Sequence, residues 1–400
     1  MIKRTPYDVM IAGGGLSGLS AALFAAKAGK RTLLVTKGSG VLAIGGGTID
    51  VLGYRSDGTP LTSPFDGFGS LSPRHPYAIV GEETVKKALS GFLEFCEEGG
   101  CPYLCNNEQN TRVVTALGTT KPSYLVPHTM SMHGVAEAGN IFIAGVEGLK
   151  DFSPALVAQG LATRKGYIGK NIVPVILPSP FPLQRDLSTL DLARYLDTPE
   201  GILWLSKSLN KYIVRGVPGA VFVPAILGTA ANNDVHNAIK DRTGHIVNEI
   251  SSLPPAVTGL RLHALLLRLL KKYNVDLIEQ STITGAVVEN GRCAALITTN
   301  NGKERRYEAR SFIIATGGAG RLHYQGFPTS NHYGATADGL ILAYRAGAKL
   351  TDGTGLLEFS LEFLQSPFDV LAFLDRNYDH NAVTTSFFSL NLGISRHFPS

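Results

Sequence analysis

An α/β fold is predicted by three features of this 400-residue sequence. Residues 8–36 read as a strand, a glycine turn, a helix and a second strand, which is a βαβ unit. The stretch from about 80 to 255 mixes helical patterns with apolar strands, and residues 275–315 form successive strands divided by Asn-Gly turns. The expected architecture is a Rossmann-like domain in two pieces, 1–55 and 256–355, with a second α/β domain, 56–255, inserted between them. A small antiparallel β-meander belongs to the second piece, and residues 356–400 form a C-terminal segment.

Taken in order, Pro6-Tyr7-Asp8 leads into a strand over 8–12, the turn Gly13 to Gly18 follows, and a helix is expected over 19–28. After Gly29 a second strand covers 31–36. Past the cluster Gly45-Gly46-Gly47 the chain is irregular and rich in Pro, Ser and Gly as far as Pro76. Helices are expected over 82–97 and 189–196, and strands over 141–146 and 221–226. From Gly259, Leu262, Leu265, Leu266, Leu269 and Leu270 recur at helical spacing, and Lys271, Lys272 and Asn274 supply a basic last turn and a stop. Strands over 275–279, 282–289, 292–298 and 307–315 follow. The turns Asn290-Gly291 and Asn301-Gly302 mark hairpins, because both central residues of such a turn need positive φ.

Composition narrows the function. Gly accounts for 45 of 400 residues, well above the usual share of about 7%, which implies tight turns or close approaches of backbone to a ligand. With 37 basic and 32 acidic residues the net charge is +5. No run of Lys and Arg interleaved with aromatics marks a nucleic-acid groove, and a mildly basic surface suits an anionic small molecule. Four cysteines, at 96, 101, 105 and 293, are too few for a disulfide scaffold and point to a reducing compartment, and their spacing matches no usual metal site. The uncharged run from Val9 to Ala26 is interrupted by four glycines, and that from Gly216 to Asn233 by Pro218 and Pro224, so neither reads as a membrane span.

Gly13-Gly14-Gly15-Leu16-Ser17-Gly18 fits G-x-G-x-x-G and has a strand before it and a helix after it, the context that gives the motif meaning. Gly13 permits the tight turn, Gly15 lets the backbone approach a pyrophosphate, and Gly18 lets the helix pack on the strand. Helix N–H groups then face the anion. An acidic residue that would bind the ribose is expected about twenty positions on, yet the second strand ends in Thr36-Lys37, which weakens an NAD reading and leaves another dinucleotide in view. Gly45-Gly46-Gly47-Thr48 offers a second stretch of backbone suited to a flat ring or a phosphate, or else a flexible loop.

These residues resemble a known group, the flavoprotein subunits of the fumarate reductase, succinate dehydrogenase and aspartate oxidase type. Arg310 to Arg321, with the turn Ala315-Thr316-Gly317-Gly318, is similar to that family's strand and turn, and Gly334 to Gly339 with Ala343 to Ala348 is similar to its next segment. The resemblance implies that Ala315, Thr316, Gly317, Gly318 and Asp338 contact FAD, and that Thr36-Lys37 replaces the acid. Residues 75–270 resemble the B subunit of the anaerobic, quinone-linked glycerol-3-phosphate dehydrogenase. The likeness is carried by His75-Pro76-Tyr77, Thr115 to Thr119, Gly145 to Phe152, Leu192 to Asp197 and Pro254 to Leu262. That resemblance implies a chain that carries non-covalent FAD, or FMN, and works with two partners, a catalytic flavoprotein subunit, and an iron–sulfur subunit that provides the membrane anchor. The complex would oxidise glycerol 3-phosphate to dihydroxyacetone phosphate and pass electrons to quinone. A cytoplasmic location, with membrane contact only through those partners, goes with it.

Two departures from the broader family stand out. No His occurs between Leu357 and Pro367, where fumarate reductases carry a substrate-binding His, so dicarboxylate reduction is disfavoured. No glycine-rich strand and helix follow Val383-Thr384-Thr385, so the element that closes over the flavin ring is not seen. Arg321, His323 and His332 are the candidates to meet an anionic substrate at the flavin face, with a surface or packing role as the alternative for each. Two other readings stay open: a self-sufficient FAD oxidoreductase acting on a small organic acid, and a flavin-free structural subunit.

Overall fold

The structure, a computed structural model, describes residues 6–73, 75–182, 186–213, 219–252, 255–317 and 337–348 and the strand segments 323–324, 327–328, 368–375 and 384–389. In chain order β1 (Tyr7–Ala12), α1 (Leu16–Lys27) and β2 (Thr32–Val35) come first. Next are α2 (Pro76–Val80), α3 (Glu82–Glu98), β3 (Tyr103–Cys105), β4 (Thr111–Val114), β5 (Thr120–Ser123) and β6 (Leu125–Pro127). They lead to β7 (Asn140–Val146), α4 (Pro154–Ala162), β8 (Asn171–Leu177), α5 (Thr189–Leu196), α6 (Pro199–Tyr212), β9 (Gly219–Val223), α7 (Asp234–Thr243) and β10 (Ile246–Glu249). Helix α8 (Val257–Lys272) precedes β11 (Asp276–Ile278), β12 (Thr282–Glu289), β13 (Arg292–Asn300) and β14 (Lys303–Ile314). Last are β15 (His323–Tyr324), β16 (Phe327–Pro328), α9 (Asp338–Arg345), β17 (Phe368–Asp375) and β18 (Thr384–Ser389).

The chain divides into two compact units. The described residues up to 42, with those in 68–95 and 265–391, make the first, and those in 43–67 and 96–264 make the second. Residues 43–55 and 256–264 therefore group with the second unit, and 68–95 with the first.

In the first unit β1 lies between β2 and β14, parallel to both, and β11 extends the parallel set beyond β2. Met10, Leu33, Phe312 and Ile314 bury the face that these strands share. Helix α1 starts at Leu16, ahead of the expected position 19, because Gly15 holds an extended backbone and residues of the glycine motif themselves form the first turn. Its face Leu16, Leu19, Ala22 and Leu23 is buried. Gly91 of α3 lets that helix approach α1: a Cβ there would stand 2.6 Å from the Phe24 ring.

The meander and the last strand expected at 307–315 are one element. Residues 295–300 of β13 pair antiparallel with 303–308 of β14, while Ser311 to Ile314 pair in parallel with β1 on one side and antiparallel with β17 on the other. Asn290, Gly291, Asn301 and Gly302 all have positive φ, between 47° and 73°, as the two-residue hairpin turns require.

The second unit is built on a fully parallel sheet ordered β10-β9-β7-β8. Its strands run Ile-Phe-Ile-Ala and Ala-Val-Phe-Val without polar alternation, as expected where helices cover both faces. Ile141, Ile143, Val221, Leu192, Leu205 and Ile239 lie in that core. Short side chains start the helices: Ser153 caps α4, Ser188 and Asp191 form a capping box on α5, and Thr198 caps α6 ahead of Pro199. The strand expected at 221–226 ends at Val223. Beyond it the backbone turns to side chains, Ala225 N–H donating to Ser252 Oγ at 3.1 Å and Leu227 N–H to Glu249 Oε1 at 2.7 Å.

Candidate functional site

The first glycine loop joins β1 to α1. Gly13 has φ +121°, and its N–H donates to the Val35 carbonyl at 2.9 Å. A Cβ on Gly13 would collide with the Ala315 carbonyl, one on Gly18 with the Gly13 carbonyl, and one on Gly14 with the Thr36 side chain. The turn is therefore bare main chain wedged between the ends of β2 and β14. Gly15, at φ −79° and ψ −177°, is the N-cap of α1 and provides no side-chain cap. The first turn of α1 holds no acidic residue, so the positive end of the helix macrodipole is not offset there by a local carboxylate. Such a terminus accommodates an anion.

The structure brings Gly13, Gly15, Leu16, Ser17 and Gly18 together with Thr36 and Ala315. The Thr36 hydroxyl is taken up locally, hydrogen-bonding to the carbonyl of Gly38 and accepting from its N–H at 3.1 Å, and this shapes the turn whose Gly40 closes on Gly15. Lys37 is exposed. Gly317 is buried with φ +78°, and Gly339 at the start of α9 packs so tightly on Thr316 that a Cβ would strike its hydroxyl. Asp338, in the first turn of α9, is exposed. Gly318, Arg321 and His332 lie outside the described residues, and of His323 only its place in β15 is described.

The second glycine loop belongs to the second unit, where Gly45 to Thr48 are all buried. Its carbonyls point into that unit: Gly46 accepts from Thr258 Oγ1 at 2.8 Å and Gly47 from the Tyr103 hydroxyl at 2.5 Å. Gly47 has φ +75°, and a Cβ there would stand 2.8 Å from Thr258 Cβ, so both geometry and space demand glycine. Among the described residues, the N–H groups of Gly46, Gly47 and Thr48 make no hydrogen bond. Thr48 Oγ1 accepts from Lys121 Nζ at 2.7 Å and donates to Asp50 Oδ1 at 3.2 Å, and Lys121 also pairs with Asp50 Oδ2 at 2.9 Å. Lys121 is 5% exposed and Asp50 6%.

A second buried ion pair stands near this loop. Arg261 of α8 makes a fork-shaped pair with Glu249, at 2.6 and 2.7 Å, and donates through Nε to the Gly228 carbonyl at 2.8 Å. Glu249 ends β10, and Leu227 and Gly228 follow β9, so the pair ties the carboxyl ends of two parallel strands to α8. Burial raises the Glu249 carboxyl, but the charge and hydrogen bonds of Arg261 outweigh it and hold the group below its ordinary value. Burial also pushes the Tyr103 phenol well up, helped by Cys101 and Cys96, which keeps its hydroxyl a donor to Gly47. Tyr103, Thr258 and Arg261 line one small pocket with Cys101, Asn232 and Asn233. Sequence reading missed Asp50, Tyr103, Lys121, Glu249, Thr258 and Arg261 as a group. Thr258 and Arg261 fall in a segment that carried the family likeness, the one signal that marked them.

Comparison with known proteins follows the same lines. The family described as FAD binding domain matches residues 8–264 and 197–360. The B subunit of anaerobic glycerol-3-phosphate dehydrogenase from Vibrio vulnificus is 30% identical over 325 residues, which span 78% of this chain and 73% of that protein. The protein of the same name from Vibrio cholerae is 30% identical over 336 residues, 82% and 76% of the two chains. Among solved structures, 3-ketosteroid Δ1-dehydrogenase from Sterolibacterium denitrificans aligns over 86% of this chain and 55% of its own, at 17% identity and a TM-score of 0.36.

Proposed function

Because the chain belongs to the FAD-binding domain family and to that of the B subunit of anaerobic glycerol-3-phosphate dehydrogenase, we propose that it is the flavin-carrying member of a complex oxidising glycerol 3-phosphate to dihydroxyacetone phosphate, with electrons passing to quinone. FAD is the cofactor of the matched family, and the residues fit it. The observation that carries the reading is the Gly13–Gly18 turn, whose glycines admit no side chain at three positions and whose helix N-terminus has neither a cap nor a carboxylate.

In this reading Gly15, Leu16, Ser17 and Gly18 present N–H groups to the pyrophosphate, and Thr36 fixes the turn through which Lys37 stands near phosphate or ribose. Ala315 to Gly318 with Asp338 complete the set within the first unit. When bound, FAD supplies the hydride-accepting chemistry. The chain's own work is to bind, orient and exclude water, so a sparse set of acid–base residues is consistent with the role. Arg321, His323 and His332 are the candidates to meet an anionic substrate. The partners are a catalytic flavoprotein subunit, and an iron–sulfur subunit that anchors the complex at the inner face of the membrane. No helix among the described residues is long and apolar enough to cross a membrane.

The test is direct. The chain purified alone should show flavin absorption bands, or acquire them on adding FAD, and should oxidise glycerol 3-phosphate with an artificial acceptor only when its partner subunits are added. Turnover by the isolated chain would favour a self-contained oxidoreductase, and failure to take up FAD would leave a structural role.

A further inference from the structure

Cys96 lies in the last turn of α3 and Cys101 just past its end, both within the second unit and neither in a disulfide. The Cys101 N–H donates to the Cys96 carbonyl at 3.0 Å and the Gly100 N–H to the Glu97 carbonyl at 2.9 Å, with Gly100 at φ +71°. This nested pair of bonds around a left-handed glycine is a helix stop that sets the side chains of its first and last residues against each other. That contact is usually between two apolar side chains, and here it is between two thiols. The bond from Cys101 to Cys96 by itself keeps the two Cα atoms within about 7 Å, the reach of a disulfide. Both thiols are buried, Cys96 completely and Cys101 at 5% exposure. Their nearness also shows in the electrostatics: burial pushes the Cys96 thiol well up, and Cys101 pushes it further.

We propose that Cys96 and Cys101 form an oxidation-sensitive clasp, a thiol pair that closes into a disulfide on exposure to a small disulfide such as glutathione disulfide and reopens with excess thiol. This goes beyond the flavin reading and does not depend on it. The two thiols have different parts. Cys101 borders the pocket it shares with Tyr103 and Arg261, and when ionised it stabilises the Arg261 charge and is stabilised by it. Its thiolate is therefore the one that meets the reagent. Attack on one sulfur of glutathione disulfide forms a mixed disulfide on Cys101 and expels one glutathione thiolate. Cys96 then gives up its proton and attacks Cys101 Sγ, forming the Cys96–Cys101 bond and expelling the second glutathione. Two protein thiols are oxidised, one glutathione disulfide is reduced to two glutathione thiols, and the two protons end on those thiols. Burial of Cys96 makes the second step slow near neutral pH, so the clasp answers sustained oxidation rather than brief exposure. The other two cysteines are placed elsewhere: Cys105 lies beside Tyr124, and Cys293 is in β13 of the first unit. Closure fixes the corner between α3 and β3, two residues ahead of the Tyr103 hydroxyl that holds the Gly47 carbonyl.

The experiment uses the full chain, with glutathione disulfide as the probe. After prolonged incubation the intact mass should fall by two hydrogens, peptide mapping should find Cys96 joined to Cys101, and dithiothreitol should restore the mass. Closure at about pH 8.5 should run roughly tenfold faster than at about pH 7.5, because more of the thiol is ionised. Cys101→Ser should keep its mass, whereas Cys96→Ala should stop at a glutathione adduct on Cys101. The wild-type peptide map decides the matter even where a variant folds poorly. A folded wild-type chain whose mass is unchanged after prolonged oxidation would overturn the proposal. A link from Cys101 to Cys105, or closure that occurs only in urea, would overturn it as well. None of these outcomes bears on FAD uptake, which is measured separately.

Discussion

The two glycine loops reach a fixed course by opposite means. Gly13–Gly18 is held almost entirely by backbone: its neighbours are the ends of β2 and β14, and a carbonyl stands where each added Cβ at Gly13 or Gly18 would lie. Gly45–Thr48 is held by side chains from Tyr103, Lys121 and Thr258, which are 56, 73 and 212 residues away from the atoms they bond. A loop defined by its own sterics declares itself in a short motif. One defined by distant hydroxyls and an ammonium does not.

The comparison can be broken first at Gly15, where the largest effect is expected. Its φ and ψ suit any residue, so Gly15→Val should leave a folded chain and abolish FAD uptake, measured by fluorescence titration. Full flavin occupancy in that variant would count against the phosphate-cradle assignment. Gly13→Ala should behave oppositely and fail to fold, because φ +121° and the Ala315 carbonyl exclude a Cβ.

At the second loop's support, Arg261→Met would leave Glu249 buried and unpaired. A loss of about 3–5 kcal/mol in unfolding free energy is expected, measured by urea titration. The double change Arg261→Met with Glu249→Leu should recover most of it, and a double variant as unstable as the single one would show that the pair is not the cause. Gly47→Ala should cost less, about 1–3 kcal/mol for the left-handed backbone and the approach to Thr258.

The smallest effect is a pH dependence set by buried or half-buried histidines, His75 in the first unit and three others in the second. Burial lowers His128, His236 and His245 below the ordinary value of 6.5, against the opposing pull of the Val247 carbonyl and Glu249 on His236. The folded chain thus favours neutral imidazoles. Their contribution is complete above pH 6.5 and declines as pH falls below it, where the unfolded chain takes up protons first. The urea midpoint should therefore be lower at about pH 5.5 than at about pH 7.5. An unchanged midpoint would rule this out.

Much of the fold was legible because it follows from local pattern. The βαβ start, α5 over Thr189–Leu196, β12 over Thr282–Glu289 and the two Asn-Gly turns all follow from periodicity and turn chemistry that neighbouring residues alone impose. The boundary of β9 was missed because Ala225 to Leu227 remain apolar while their backbone bonds go to Ser252 and Glu249. The single course of β14 was missed because its two halves serve different partners.

The sequence by itself determined an α/β chain with a glycine turn shaped for a dinucleotide, and it placed that turn between a strand and a helix. Tertiary structure alone decided that Thr36 spends its hydroxyl on Gly38, that Thr48 is enclosed by Lys121 and Asp50, and that Thr258 and Tyr103 hold the Gly46 and Gly47 carbonyls. The physical reason is range. Backbone sterics and periodicity act over a few residues and are written in order along the chain. A hydrogen bond between groups far apart in sequence exists only once folding has brought them to about 3 Å and taken the water away.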